Sequence, residues 1–262
     1  MHILVLLKMV PDVVEELEIA PDGKALDLEY LRMILSESDD HALEQALLMK
    51  ERHGGKVTVL ALDAPEVDDA LFTAVAKGAD RVVKVVGLDV GSTTRQAASV
   101  FARVIQSETG LMPADLVFTG VQAIDDLDGL IAPLVAYELG LPYLGIVTRV
   151  TFDAAGQLVQ AIKEYPGGVR GEFEVELPAV LGMQAAEKPP RYVPVAKVRT
   201  AMKSQKIDCT PLPTLVEGSW LAIEVVEMKR NEPAGHAEML KEIPTRCPTS
   251  SVGFWPSGGF SR

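Results

Sequence analysis

The sequence has few of the residues that build disulfide frameworks, metal centres or base-stacking surfaces. Its 262 residues include two cysteines and four histidines, and these are not spaced as metal ligands or as a CxxC pair. Aromatic residues make up 5% of the chain, which argues against a nucleic-acid surface built from stacked rings. We therefore predict no metal site. The cysteine pattern is typical of a reducing compartment, so we expect a cytoplasmic protein.

The chain also lacks a net positive charge and long hydrophobic runs. It has 25 basic and 37 acidic residues, a net charge of −12, so it is a poor general binder of nucleic acid or anionic lipid. The longest dense apolar stretch, Leu130 to Tyr137, is short and contains Pro133. The apolar run Ile3–Leu7 stops at Lys8, too early for a signal-peptide core. We predict neither nucleic-acid binding nor membrane insertion.

Short apolar runs rich in β-branched residues alternate with segments of helical periodicity in the first half of the chain. Because these runs are apolar throughout, they predict strands buried on both faces of a sheet. The predicted strands are Ile3–Leu7, Val57–Leu62, Arg81–Val86 and Leu116–Thr119. The predicted helices are Asp39–His53, Val67–Lys77, Thr93–Gln106 and Leu130–Glu138. This alternation is typical of a parallel sheet with helices on its faces.

Turn-forming residues separate consecutive strands in the second half and therefore predict antiparallel pairing. The strands predicted there are Ile146–Phe152, Gln157–Tyr165, Val169–Leu177 and Ala179–Met183, and a small hairpin is predicted earlier, at Leu17–Leu28. We predict an α/β fold class, with a three-layer Rossmann-like architecture of the type that often binds adenine nucleotides. Its mixed, mainly parallel sheet is flanked by helices and extended by antiparallel strands. We assign residues 1–208 to this domain, with a basic segment at 188–206, and residues 209–262 to a C-terminal arm.

The motifs of common enzyme classes are absent. No GxGxxG follows the first strand, and neither a GxxxxGK[ST] phosphate loop nor a GxSxG elbow occurs. His41 falls near the start of a predicted helix, where a partly exposed cap-region residue is a more common role than a ligand or base. We predict no catalytic residue in this chain.

The most informative stretch is Phe118–Gly129, where a buried strand ends and a helix begins. In an open α/β sheet this edge is where ligands bind, and the amides at a helix start favour an anion such as phosphate. Three aspartates within four residues, Asp125, Asp126 and Asp128, oppose that use unless they cap amides or hold ribose hydroxyls. A nucleotide site and an Asp-capped helix start both fit this pattern.

Six segments, taken in order, resemble the β subunit of the electron-transferring flavoproteins from Met1 to about Lys206. They are Val5–Asp12, Ala42–Glu51, Ala76–Arg81, Gly120–Asp126, Tyr137–Pro142, and Leu177–Val180 followed by Pro190–Tyr192. The resemblance implies a heterodimer with a larger α subunit that carries most of the FAD. It implies that this chain binds AMP or a second FAD and is not a catalyst alone. The partners it implies are acyl-CoA-type or other flavin dehydrogenases and a downstream quinone or ferredoxin acceptor.

The resemblance also implies site residues. The nucleotide would be surrounded by Leu6, Ser36, Leu62, Gly120, Gln122, Ala123, Ile124, Asp125, Asp126, Leu127, Asp128, Gly129, Leu130 and Ile131. Partner docking would use Arg191, Tyr192 and Val195, with Val195 at the position of the family's aliphatic anchor.

The chain departs from the family pattern near the expected nucleotide. Ser36–Glu37 stands where Asn-Pro is common, and Leu130–Pro133 replaces a Thr-Gly-Gln or Thr-Ala-Gln run. Hydroxyls occur instead at Gly91–Thr94, which is closer to bifurcating members. Two rival functions are a stress or scaffold module with the same fold and no redox role, and a nucleotide-hydrolysing or adenylating enzyme.

Overall fold

The computed structural model describes residues 1–29, 31–88, 92–153, 157–212 and 225–230. Residues Met1–Met228 belong to one compact unit. The predicted arm, residues 209–262, lies mostly outside the described residues, as do parts of the Asp153–Gly156 turn and of Gly91–Thr94.

The first half of the chain forms the alternating strands and helices that its apolar runs predict. The strands are β1 (His2–Leu7), β2 (Met9–Pro11), β3 (Met33–Leu35), β4 (Lys56–Leu62), β5 (Arg81–Val86) and β6 (Leu116–Gly120). The helices are α1 (Glu37–His53), α2 (Val67–Lys77), α3 (Thr94–Ser107) and α4 (Ile131–Leu139). All six residues of β1 and all five of β6 are buried, as expected for central strands covered on both faces.

The second half adds the remaining strands and one helix. They are β7 (Tyr143–Asp153), β8 (Leu158–Tyr165), β9 (Val169–Glu176), β10 (Ala179–Met183), α5 (Val195–Ser204) and β11 (Asp208–Pro211). In β7–β8–β9 the pairing is antiparallel, whereas β10 pairs in parallel with both β6 and β7. The fold-class prediction is confirmed: the fold is α/β, with a mainly parallel mixed sheet flanked by helices.

Within the described residues the main sheet has the order β11-β5-β4-β1-β6-β10-β7-β8-β9. Alternate side chains of the central strands enter two separate cores. Ile3, Val5 and Phe118 pack in the core that contains residues of α1 and α2, whereas Leu4 and Val117 pack in the core that contains residues of α3 and α4. These two cores make the three layers.

The structure differs from the sequence prediction in several short elements. The predicted Leu17–Leu28 hairpin contains only a single bridge, between Ile19 and Leu26. The short pair β2–β3 and the edge strand β11 were not predicted. No helix among the described residues is long and apolar enough to cross a membrane.

Candidate functional site

A cleft opens where β1 and β6 end side by side. Strand order reverses at this point, because the chain passes from β1 through β4 to β5 on one side and continues with β6 on the other. Such a switch point is the usual ligand crevice of an open α/β sheet. The cleft contains about 340 Å³ of unfilled space, a volume that includes open solvent.

Asp39, in the first turn of α1, ties three elements together at the base of this cleft. Its carboxylate accepts hydrogen bonds from the backbone N–H groups of Lys8 (2.8 Å) and Gly120 (2.6 Å). Burial raises the pKa of Asp39 to about 7, although the two N–H donors and the nearby Lys8 charge act in the opposite direction. The carboxylate therefore fixes the ends of β1 and β6 against the helix start.

Gly120 lies at the end of β6, where the start of α1 comes very close. A Cβ at this position would overlap Ser38 Oγ and the carboxylate of Asp39. Ser38 Oγ also donates a hydrogen bond to the carbonyl of Gln122, at 2.6 Å. The start of α1 therefore fills the space beside the Gly120 Cα.

Lys8 joins the end of β1 to the acidic loop across the cleft. Its Nζ donates hydrogen bonds to Asp125 (2.8 Å) and Asp126 (2.7 Å). Burial by itself would lower the pKa of Lys8, but the bonds to the two carboxylates outweigh it, so the pKa is raised. The lysine thus offsets the negative charge that would otherwise oppose a phosphate in this cleft.

The loop between β6 and α4 is held by its own hydrogen bonds. The carboxylate of Asp126 accepts the Ala123 N–H (3.3 Å), and Asp128 accepts the Leu130 N–H (3.0 Å). No side chain caps α4 at Leu130, and Pro133 has no N–H. The amides of Ile131 and Ala132, in the first turn of α4, have no intrahelical acceptor and are suited to an anion.

A second helix start lies next to the same loop. Thr93 and Gln96 form a reciprocal capping box at the start of α3. The hydroxyl of Thr94 donates to Asp126 at 3.5 Å. The hydroxyls expected from the Gly91–Thr94 run are therefore near the cleft, but that of Thr93 is engaged in capping its own helix.

Seven of the residues predicted for the nucleotide line the cleft, namely Leu6, Gly120, Gln122, Ala123, Asp126, Gly129 and Ile131. The others do not line it: they are Ser36, Leu62, Ile124, Asp125, Leu127, Asp128 and Leu130. Ser36 is buried behind the Lys8 backbone, whereas Ile124, Leu127 and Leu130 are exposed. The cleft residues that sequence reasoning missed are Leu7, Lys8, Asp39, Phe101, Thr119 and Val121. Lys8 and Thr119 could have been found from the sequence, because each lies at the carboxyl end of a predicted strand and these two strands are neighbours in the sheet.

The predicted docking residues lie near the start of α5 and differ in their surroundings. Tyr192 and Val195 are 84% and 62% exposed. Arg191, in contrast, pairs with Glu44 and Glu51 of α1. His41, in the first part of α1, accepts the Ala186 N–H through Nδ1 at 3.2 Å. This contact is structural, and it fits the predicted role of His41 as a residue near the start of the helix. Among the described residues, no group of three or more His, Cys, Asp or Glu side chains is arranged to hold a metal.

The chain matches a family of known proteins over most of its length. The family model of the electron transfer flavoprotein domain matches residues 25–211 of this sequence. The chain belongs to the electron transfer flavoprotein family. Its function is electron transfer, and the predicted role as a carrier subunit without catalysis of its own is confirmed by this membership and by the relatives described next.

Several relatives are similar over most of the chain. Protein FixA of Azorhizobium caulinodans is 32% identical over 213 residues, which is 79% of this chain and 74% of the relative. The electron transfer flavoprotein subunit beta of Clostridium acetobutylicum is 33% identical over 198 residues (76% and 74%). That of Methylophilus methylotrophus is 31% identical over 204 residues (77% and 76%).

Most of the residues that line the cleft are small or apolar. Small and apolar residues of the two strand ends, Leu6, Thr119 and Gly120, form one wall, and Gln122 and Ala123 of the loop form another. The groups near the cleft that could hold a phosphate are the amides at the start of α4 and the Lys8 ammonium group.

Proposed function

We propose that this chain is the β subunit of a heterodimeric electron transfer flavoprotein, with an adenine nucleotide in the cleft between β1 and β6. The observation that carries the proposal is the cleft at the topological switch point, formed by the stretch that resembles the family's nucleotide loop. The names of the relatives as subunits beta support an α subunit as partner.

The chain's own residues would hold the nucleotide through the main chain. The strand ends at Leu6 and Gly120 would flank the base, and Asp126 would accept from a ribose hydroxyl. The amides of Ile131 and Ala132 would receive a phosphate, with Lys8 offsetting the neighbouring carboxylates. An AMP there supplies no redox chemistry, whereas a second FAD supplies a further redox centre. In the FAD alternative, the Thr94 hydroxyl at the start of α3, which lies 3.5 Å from Asp126, would be a further donor to the longer diphosphate.

Dehydrogenases would dock on segment 188–206 through exposed apolar residues within a basic surface. Val195 and Tyr192 project from the chain, and the nearby cations Lys197, Arg199 and Lys203 are exposed. An aliphatic anchor within a charged rim is a common arrangement at transient interfaces. Acyl-CoA-type or other flavin dehydrogenases would donate electrons to FAD on the α subunit, and a quinone or ferredoxin system would receive them.

We also propose that this complex works in the cytoplasm. The support is the cysteine usage, since two cysteines outside any disulfide-framework spacing are typical of a reducing compartment. Cys209, which is described, is free and exposed.

The test is to co-express the chain with its α subunit and mix the purified complex with an acyl-CoA dehydrogenase and its substrate. We expect the flavin absorbance of the complex to bleach, and the α subunit without this chain to remain oxidised under the same conditions. A stable homodimer of this chain that takes up no α subunit and no flavin would instead support the scaffold alternative.

A further inference from the structure

The side chain of Glu44 holds Arg191 from three directions. Its carboxylate accepts the Arg191 backbone N–H at 3.0 Å, Nε at 2.9 Å and Nη2 at 2.8 Å. The remaining terminal nitrogen, Nη1, donates to Glu51, one helical heptad further along α1. Hydrogen bonding to Glu44, and then to Glu51, raises the pKa of Arg191. A planar guanidinium engaged in this way is fixed in orientation as well as in place.

Glu44 itself is shielded from any partner protein. Its side chain is 3% exposed, compared with 28% for that of Arg191. A buried carboxylate needs a fully hydrogen-bonded cation beside it, because an unpaired buried charge is costly. Inside the chain, three of the five guanidinium N–H groups of Arg191 donate to Glu44 and Glu51, so its guanidinium is committed to α1.

Further residues on the same face of α1 attach the chain just before Arg191. Arg52 makes a two-point ion pair with Glu187, at 2.9 and 2.7 Å. The side chain of Gln45 accepts the Glu187 N–H at 3.0 Å and donates to its carboxylate at 3.1 Å. Glu44 and Gln45 lie three and four residues after His41, and Glu51 and Arg52 lie seven residues after Glu44 and Gln45, so the five side chains form one polar stripe along the helix. This stripe holds residues 186–191.

The attached segment ends just before the exposed docking residues. Tyr192 follows Arg191 directly, and Pro194 is the N-cap of α5, where Val195 is the first helical residue. Because only two residues separate Arg191 from Pro194, the position of Arg191 limits where the start of α5 can lie. Fixing a docking loop before its partner arrives reduces the ordering cost of binding.

We infer that Glu44 and Arg191 are positioning residues that hold the start of α5 in its docking position. Arg191 then acts through its contacts with α1 and not through direct contact with the dehydrogenase. This inference rests on the proposed function of segment 188–206 as the docking surface.

The decisive variant is Glu44→Gln, because it changes a buried residue that a dehydrogenase does not touch. In the αβ complex we expect the KM for an acyl-CoA dehydrogenase to rise roughly tenfold with kcat nearly unchanged. We also expect faster hydrogen–deuterium exchange in residues 188–204 and unchanged exchange in residues 121–131.

Arg191→Lys is the companion variant, since it keeps the positive charge but loses the planar fork. Positioning predicts that it raises KM as Glu44→Gln does, whereas simple attraction of an acidic partner predicts no change. Arg170→Lys is the matched control: it changes an exposed Arg–Glu pair, with Glu164, on the β8–β9 hairpin. We expect the control to leave both readouts at the parent value.

The outcome that overturns the inference is an unchanged or lower KM for Glu44→Gln together with parent-like exchange in residues 188–204. A lower KM would mean that releasing Arg191 makes it available to the partner. Failure of the proposed function is distinguishable, since the parent complex itself would then accept no electrons. The exchange measurement reports on positioning in that case as well.

Discussion

At the scale of single residues, Asp39 is the most unusual group of the cleft. It is a buried carboxylate with a pKa of about 7, held by two backbone N–H groups. In the unfolded chain an aspartate titrates near pH 3.9. The folded chain therefore binds this proton more tightly, and the free energy of unfolding falls as the pH rises from about 4 to about 7.

Asp39→Asn removes this titration. We expect the variant to be about 1–3 kcal/mol less stable at pH 5, because an amide presents one oxygen where two N–H donors need acceptors. Its free energy of unfolding should change less than that of the parent between pH 4 and 7. Urea unfolding at several pH values measures both effects, and parallel pH profiles for the two proteins would contradict the assignment.

Asp126 is the carboxylate placed best to act on a nucleotide. It lines the cleft and pairs with Lys8. Asp126→Arg should remove most of the bound nucleotide from the purified complex, because it repels Lys8 and fills the cleft with a long side chain. Nucleotide content after acid release is the measurement. Asp68→Arg, which breaks an aspartate–lysine pair with Lys84, is the control and should retain the parent content.

At the scale of secondary-structure elements, the start of α5 carries the docking hypothesis. Val195→Ala should raise the KM for the dehydrogenase about five- to thirtyfold, since hot-spot truncations cost roughly 1–2 kcal/mol. Nucleotide content should stay at the parent value. Val13→Ala is a matched control at a valine of similar exposure, 56% against 62%. Equal KM values for parent and Val195→Ala would remove Val195 from the docking surface.

The elements that sequence reasoning predicted best are those with the strongest apolar runs. For β5 and α2 the bounds agree with prediction, and β1 and β6 differ by one residue at one end. An apolar run among these elements can be recognised from its own residues, because a strand that is buried on both faces must lie in the interior of the sheet. The edge strand β11 (Asp208–Pro211) was missed because its residues are mostly exposed and only its pairing with β5 makes it a strand.

Sequence reasoning predicted the site residues that lie in one continuous stretch of the chain. It missed the site residues that come from distant segments and meet only in the folded chain. The loop Gln122–Ile131 stands out in the sequence through its glycines and aspartates. Lys8 and Asp39, in contrast, meet the cleft through hydrogen bonds over 31 to 118 positions of sequence separation. The pairing of Arg191 with Glu44, 147 positions away, leaves no local signal, so the sequence predicts only a docking role for Arg191.

At the scale of the whole molecule, the cleft joins elements from opposite faces of the sheet. Its lining includes the ends of β1 and β6, the first turn of α1 and the start of α4. A ligand that contacts all four of these elements binds the folded chain and not the unfolded chain, and it therefore stabilises the folded state. We expect AMP or FAD to raise the unfolding midpoint of the nucleotide-depleted complex. The gain should correspond to about 2.7 kcal/mol at a hundred times the dissociation constant.

Thermal unfolding with AMP and with FAD, each in a separate titration, measures this gain. Asp126→Arg should show little or none of it with either ligand. An unfolding midpoint that neither compound changes in the parent complex would place the nucleotide elsewhere or exclude it.

The most direct measurement of the central claim is the content of cofactors released from the purified αβ complex. Acid treatment followed by chromatography separates FAD from AMP and gives the amount of each per heterodimer. We predict one FAD with one AMP, or two FAD, with the second nucleotide lost in Asp126→Arg. A single FAD with no further adenine nucleotide in the parent complex would contradict the assignment of the cleft between β1 and β6.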